Sequence, residues 1–135
     1  MEKEFYSRVL KLYLKYWDEM YAEMAWCAHA YATEYLADIC SKAKDLLRYY
    51  LEEKPGEYEV QDALFKLGTD FDGLINKVFS SGVFEEVDRY ALAYIINSAF
   101  KDRLKQAFEV LEKIYVEGTG EDFDYALERE QLKGE

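Results

Sequence analysis

The fold is decided by residues 10–35, LKLYLKYWDEMYAEMAWCAHAYATEY. Apolar residues recur in this stretch at alternating steps of four and three, which is the spacing of one helix face. That face consists of Leu10, Leu14, Trp17, Tyr21, Met24, Ala28, Tyr31 and Tyr35. Residues 1–54 contain no glycine and no proline, so the first strong helix-breaking signal is Pro55 followed by Gly56. We therefore predict helix over nearly all of residues 1–54.

The apolar stripe shifts by one residue in the middle of this region. After Tyr31 it continues through Ala32, Leu36, Ile39, Ala43, Leu46 and Tyr50. The pattern fits either one helix with a drifting face or two helices with a break near residues 31–33. A single helix of this length would measure about 75 Å, whereas the radius of gyration of a compact domain of this size is about 14 Å. Length favours the break, and Thr33 is the best candidate for the N-cap of a second helix.

Further helices are predicted beyond residue 54. They cover residues 57–67, 69–80, 84–117 and 123–131. Gly68 and Gly118 mark helix ends, and Thr119 with Asp122 is the capping pair of the last helix. Residues 132–135 are expected to be a frayed end.

Together these segments predict an all-α fold, a single-domain helical bundle over residues 1–131. Residues 1–54 and 84–117 supply two long helical regions, and short helices connect them. No segment shows the convincing two-residue alternation of a β-strand.

The composition is that of a soluble, acidic, tyrosine-rich protein. Half of the 135 residues are hydrophobic, a third are charged, 13 are tyrosine, and the net charge is −11. Such a negative field repels nucleic-acid backbones and anionic lipid headgroups, so direct binding to nucleic acid or to a membrane is not expected. No apolar run reaches the roughly 20 residues of a membrane span, and the start of the sequence lacks a signal-peptide pattern. A cytoplasmic location is therefore expected, with Cys27 and Cys40 as reduced thiols.

Residues able to carry out catalysis are few. The single histidine, His29, lies on an alanine-rich stripe, which favours a core position over a catalytic base. Cys27 precedes it by two residues, so on a helix the two side chains point about 200° apart and do not pair as nucleophile and base. Cys40 shares the face of His29, but only a break near Thr33 would bring the two together. No catalytic residue is therefore predicted.

Metal and cofactor sites are not predicted either. Glu19 and Glu23 could face a metal jointly, but the Glu-x-x-His partner motif of di-metal bundles is missing. Residues 70–73, DFDG, match the centre of a calcium loop, but the first and last ligand positions hold Gly68 and Phe79. The sequence also lacks a glycine-rich phosphate loop.

Two basic clusters stand out against the acidic background. They are Arg8, Lys11 and Lys15, and Lys101, Arg103 and Lys105. We interpret both as solvated helix faces, because acidic side chains of the same chain can pair with them.

Three stretches carry a family resemblance. They are Tyr35-Leu36-Ala37-Asp38 through Lys44-Asp45-Leu46-Leu47, the Lys54-Pro55 turn, and Glu121-Asp122-Phe123 through Arg129. In this layout the chain resembles a family of small, acidic, helical bacterial proteins of unknown function, over residues 31–131. The resemblance implies a bacterial or phage-like context and no particular activity.

The function favoured by these patterns is that of a non-enzymatic protein that binds another protein or self-associates. The N-terminal helical face carries more aromatic area than one small core needs, and exposed aromatic area is typical of interfaces. The candidate interface consists of Tyr13, Tyr16, Trp17, Tyr21, Tyr31 and Tyr35. A homodimer is the simplest partner arrangement. The alternative for the same residues is an ordinary intramolecular core.

Two other function classes stay open. Small size, acidity and helicity suit a DNA mimic that inhibits a nucleic-acid-binding defence protein, because carboxylates spaced along helices can imitate a row of phosphates. An uncharacterised enzyme is the third class, although no motif specifies its chemistry.

Overall fold

A computed structural model describes residues 3–21, 30–68 and 89–133, and the side chains of residues 3–16, 36–68, 98 and 101–133. The described residues form five helical segments and no strand. These are α1 (Lys3–Tyr21), α2 (Ala30–Glu53), α3 (58–68), α4 (Arg89–Thr119) and α5 (Phe123–Lys133). The predicted all-α helical bundle is confirmed. Within the described part of the chain, no helix has both the length and the apolar character to cross a bilayer.

The N-terminal region is two helices and not one. Lys15 Nζ in α1 lies 2.6 Å from Asp38 Oδ2 in α2, whereas a continuous helix would separate these positions by about 35 Å. The predicted break therefore exists. Its predicted position is wrong, because Thr33 lies within α2 and so is not an N-cap. Residues 22–29, which connect the two helices, lie outside the described residues.

Three helices form the centre of the bundle, with α1, α2 and α4 each in contact with the other two. The rings of Phe5 and Tyr49 stack at 5.5 Å, so the start of α1 lies beside the end of α2. Tyr6 contacts Tyr115 edge-to-face, and about two turns further along α1 Tyr13 contacts Phe108 in the same way. Residue numbers thus rise along α1 as they fall along α4, so these two helices are also antiparallel. The largest fully buried side chains of this core are Val9, Leu36, Ile39, Leu46, Leu47, Leu67, Leu104 and Leu111.

The two short helices pack on the outside of this centre. α5 contacts both α1 and α4. α3 reaches α2 where the Cys40 thiol donates to the Leu67 carbonyl at 3.8 Å, and it reaches α4 where Arg103 donates to the Lys66 carbonyl at 3.5 Å. Each short helix therefore lies over the groove between two central helices.

The end of α4 differs from the prediction. Gly118 was expected to stop the helix, but α4 includes it and ends at Thr119. The stop is Gly120, whose φ of 71° is the left-handed conformation that a helix C-terminus needs and that glycine adopts without strain. Its N–H donates to the Val116 carbonyl at 2.8 Å and so satisfies one of the last carbonyls.

The residue that caps the start of α5 also differs from the prediction. Asp122 Oδ2 accepts a hydrogen bond from the Tyr125 N–H at 3.1 Å, so Asp122 alone is the N-cap. Thr119 instead donates to the Tyr115 carbonyl at 2.7 Å and accepts from the Glu121 N–H at 3.2 Å, which closes α4. α5 then runs to Lys133, past the predicted end at 131.

The remaining predicted boundaries are met in part. α3 covers 58–68, one residue beyond the predicted 57–67 at its end, and includes Gly68. The predicted helix over 69–80 and the first residues of the one over 84–117 lie outside the described residues.

Gly118 is needed for a close approach between α1 and α4. A Cβ atom at this position would overlap the Tyr6 hydroxyl and lie 2.7 Å from Cζ of the same ring. The ring cannot easily give way, because its edges and faces contact Phe5 at 5.4 Å and Tyr115 at 5.6 Å between centroids. The close packing of the Tyr6 ring thus explains why residue 118, inside α4, is glycine.

We expect Gly118→Ala to destabilise the protein. Alanine favours helix by about 1 kcal/mol over glycine, but forcing the Tyr6 ring aside costs about 1–3 kcal/mol. Urea denaturation of Gly118→Ala in the wild type and in a Tyr6→Ala background measures the difference. Without the ring, the alanine should be neutral or stabilising. Equal destabilisation in both backgrounds would show that the close approach is not the reason for the glycine.

Candidate functional site

Of the predicted interface residues, Tyr13 and Tyr16 have described side chains, and both pack inside the bundle. Tyr16 is 8% exposed and stacks on Phe108, with 4.7 Å between ring centroids. Tyr13 is half-buried and meets Phe108 and Phe123 edge-to-face at 5.3 and 5.1 Å. Burial raises the pKa of both tyrosine hydroxyls. For these two residues the structure shows the intramolecular alternative. The side chains of Trp17, Tyr21, Tyr31 and Tyr35 lie outside the described ones.

The aromatic rings around Tyr13 form one cluster that joins three helices. Its members are Tyr13 and Tyr16 from α1, Phe108 and Tyr115 from α4, and Phe123 from α5. Paired rings in this geometry stabilise a fold by about 0.5–1.5 kcal/mol beyond the area that they bury. The cluster therefore holds α5 to the centre of the bundle.

Exposed apolar side chains lie elsewhere, as one pair on α5, Tyr125 and Leu132, and another on α3. Tyr58 is 76% exposed and Phe65 is 63% exposed. Their spacing of seven residues places them on the same side of the helix, two turns apart. We call this pair the α3 face. The opposite side of α3 is buried in the core through Val60, Ala63 and Leu67.

A shallow groove of about 380 Å³ runs between α3 and α4 beside the α3 face. Tyr58, Ala63 and Val110 supply its apolar lining. Its polar lining is mainly acidic, from Glu59, Asp62 and Glu109. Lys113 Nζ lies 3.1 Å from Glu59 Oε2 and ties α4 to α3 across this groove. The α3 face therefore continues into a concave surface with a charged rim.

A second groove, of about 270 Å³, lies between α1 and α2 and has the opposite charge. We call it the basic groove. Its lining residues are Arg8, Lys11, Leu12, Lys15, Lys42 and Leu46. Lys15 and Lys42 both approach Asp38 Oδ2, at 2.6 and 3.2 Å. The hydrogen bond from Lys15, followed by the one from Lys42, lowers the pKa of the Asp38 carboxyl.

Carboxylates crowd together where α4 meets α5. The pKa of Glu112 is raised, first by burial and then by the charges of Asp124, Glu109 and Asp122. Because the folded pKa is raised, the ionisation of Glu112 opposes folding, and the stability it contributes falls as pH rises through its unfolded pKa. Several carboxyl groups therefore lie close together at this end of the molecule.

A hydrogen-bonded triad closes the turn between α4 and α5. Glu121 accepts hydrogen bonds from both terminal nitrogens of Arg129 and, at 3.0 Å, from the Tyr115 hydroxyl. The pKa of Glu121 is lowered, chiefly by the bond from Arg129. The stabilisation therefore requires the carboxylate, is present above the unfolded pKa and is lost as pH falls through the folded one.

The residues considered for chemistry give no described active site. Cys40 is buried, and its thiol donates to a backbone carbonyl, as a structural cysteine does. Cys27, His29, Glu19 and Glu23 lie where side chains are not described, as do residues 70–73. Among the described residues, no three His, Cys, Asp or Glu side chains are grouped so that they could hold a metal ion.

Comparison with known proteins found no matching family model, no matching curated protein and no matching solved structure. The resemblance to small acidic helical bacterial proteins therefore stays a prediction.

The sequence indicates only part of each surface. Helix 57–67 was interpreted only as a connection, although apolar residues at 58, 60, 63, 65 and 67 are too widely distributed for one buried face. That excess was the available signal for the α3 face. For the basic groove, the cluster of Arg8, Lys11 and Lys15 was visible in the sequence but was interpreted as a solvated helix face, because Lys42 joins it only through the packing of α2 on α1.

Proposed function

We propose that this chain is a non-enzymatic protein-binding protein and that it binds through the α3 face. The observation that carries the proposal is the exposure of Tyr58 and Phe65 on a helix whose other side is already buried. An aromatic ring has roughly 150–250 Å² of surface. At about 25 cal/mol per Å², covering the exposed part of each ring contributes about 2–4 kcal/mol to binding. The proposed setting is the cytoplasm, where the Cys40 thiol would stay reduced.

A second copy of the chain is the simplest partner. In a two-fold symmetric dimer the same patch of each copy meets the other. If the α3 helices of two copies lie antiparallel and are centred on each other, Tyr58 of each copy faces Phe65 of the other. This is because Tyr58 and Phe65 are equally far from the middle of residues 58–65. The adjacent groove, with Val110 and Ala63 in its lining, enlarges the apolar contact. The Glu59–Lys113 ion pair would then belong to the polar rim.

Self-association is tested by replacing both exposed rings with lysine. Light scattering should give twice the mass of one chain for the wild type and the mass of one chain for Tyr58→Lys/Phe65→Lys. The matched control is Tyr125→Lys/Leu132→Lys on α5, whose side chains are 60% and 71% exposed and also seven residues apart. This control should remain dimeric.

Circular dichroism of all three proteins should be alike, since the changed residues are exposed. A wild type that is monomeric at its solubility limit contradicts the dimer. Loss of the dimer in the α5 control as well as in the α3 variant would show that the α3 face is not the specific surface.

The DNA-mimic function is a second candidate, favoured by the crowding of carboxylates around Glu112. A row of such charges would attract a protein that binds nucleic acid. This binding would be lost at high salt and weakened by Glu109→Gln/Glu112→Gln, whereas binding through the α3 face would resist both changes. Salt dependence therefore separates the two candidates.

A further inference from the structure

The three central helices leave three grooves on the outside of the bundle, and two of these are occupied by helices. α5 packs on α1 and α4, and α3 packs on α2 and α4. The third groove, between α1 and α2, is the basic groove, and no helix of the described part of the chain lies over it. Among the described helices, two of the three grooves are therefore covered by a helix and the basic groove is not.

The residues that line the basic groove are more cationic than anionic. Its lining has four cationic side chains, and Asp38 is the carboxylate that pairs with two of them. In the described residues, Arg8 and Lys11 have no carboxylate within salt-bridge distance. A net positive groove in a chain whose net charge is −11 attracts anionic groups against the field of the rest of the molecule.

The apolar part of the groove is small. Leu12 and Leu46 are 5% and 1% exposed, so they offer a bound molecule little surface. The remaining apolar contact is with the methylene stems of the lysine and arginine side chains, which can cover a partner while their charged ends pair with it. Binding here would depend mainly on charge.

We propose that the basic groove binds an acidic amphipathic helix of a partner protein. The proposal rests on the proposed protein-binding function but uses a different surface from the α3 face. Arg8, Lys11 and Lys15 follow the i, i+3, i+7 spacing of one helix face, with about 10.5 Å of axial rise between the first and last. Carboxylates at the same spacing on a partner helix meet them one to one.

The helices that fill the other two grooves show what kind of helix fits. α3 carries Glu59 and Asp62 beside its buried Val60 and Ala63, and α5 carries Asp124 beside its buried Phe123 and Ala126. Both are short amphipathic helices whose acids outnumber their bases. In the basic groove a partner's carboxylates would compete with Asp38 for Lys15 and Lys42, and would supply Arg8 and Lys11 with partners.

The test uses a fluorescein-labelled synthetic peptide with leucine at the a and d positions of each heptad, glutamate at b and e, which recur at the i, i+3, i+7 spacing, and alanine elsewhere. Fluorescence anisotropy at low salt should show binding to the wild type. Arg8→Glu/Lys11→Glu should weaken it by about tenfold or more, since losing about 1.4 kcal/mol is tenfold in affinity. The matched control, Lys105→Glu/Lys133→Glu, changes the net charge equally at exposed positions outside the groove and should leave the affinity nearly unchanged.

A charge-reversed peptide, with lysine in place of glutamate, completes the test. It should bind Arg8→Glu/Lys11→Glu more tightly than it binds the wild type. Absence of glutamate-peptide binding at low salt overturns the proposal, as does an equal loss in the two glutamate variants, which would indicate net charge and not the groove.

The two proposals fail separately. Tyr58→Lys/Phe65→Lys should bind the glutamate peptide as the wild type does. If the wild type is monomeric but still binds the peptide, only the α3 face is contradicted. If the dimer forms through the α3 face and the peptide does not bind, only the basic groove is contradicted.

Discussion

Phe108→Ala should lower the free energy of unfolding by about 3–5 kcal/mol, as is usual when a large buried ring is removed. Phe108 is 3% exposed and lies between Tyr16, which stacks on it, and Tyr13, which meets it edge-to-face. Its removal opens a cavity and takes a partner from both tyrosines. Because the free energy of unfolding of native domains is only about 5–15 kcal/mol, this loss would be a large part of the protein's stability.

Urea denaturation followed by circular dichroism measures the effect. Val116→Ala is the matched control on the same helix, since Val116 is 40% exposed and its truncation leaves no enclosed cavity. We expect it to cost under about 1 kcal/mol. If the two variants lose similar stability, the aromatic cluster is not a tightly packed part of the core.

Leu67→Ala should have the second large effect, about 2–5 kcal/mol. Leu67 has no exposed surface, and its carbonyl accepts a hydrogen bond from the Cys40 thiol, so Leu67 anchors α3 on α2. Phe65 lies two residues earlier on the opposite side of the same helix and is 63% exposed. Phe65→Ala is therefore expected to cost no more than about 1 kcal/mol, although it removes the larger side chain.

The pair also tests the orientation on which the α3 face depends. Thermal and urea unfolding of the two variants should rank Leu67→Ala far below Phe65→Ala in stability. The reverse order would mean that α3 is turned about its axis, with Phe65 inward, and the proposed binding surface would then be lost.

Helix positions could be predicted from sequence because periodicity and breakers are local. The Pro55–Gly56 turn and α3 were predicted almost to the residue. The end of α4 was not, because Gly118 looks like a stop signal in the sequence. Its real role is to admit the Tyr6 ring, which comes from the other end of the chain. A tertiary contact of that kind leaves no trace in the local pattern.

The surfaces were harder to predict than the helices. The predicted heptad face runs through Leu10 and Leu14 and does not include Tyr13, and spacing alone cannot say what covers a helix face. Phe108 and Phe123 cover Tyr13, and Asp122 rather than Thr119 sets the start of the helix that brings Phe123 there. The basic groove likewise depends on Lys42, which reaches Lys15 only after α2 folds back on α1.

The aromatic cluster also bears on how the chain is made. Tyr13 is synthesised before Phe123, which covers it from α5. At about 5–20 residues per second, the ribosome needs on the order of 10 s to pass from one to the other. During that interval the rings of α1 have no α5 to cover them. The interior of this protein is thus completed only after α5 has been synthesised.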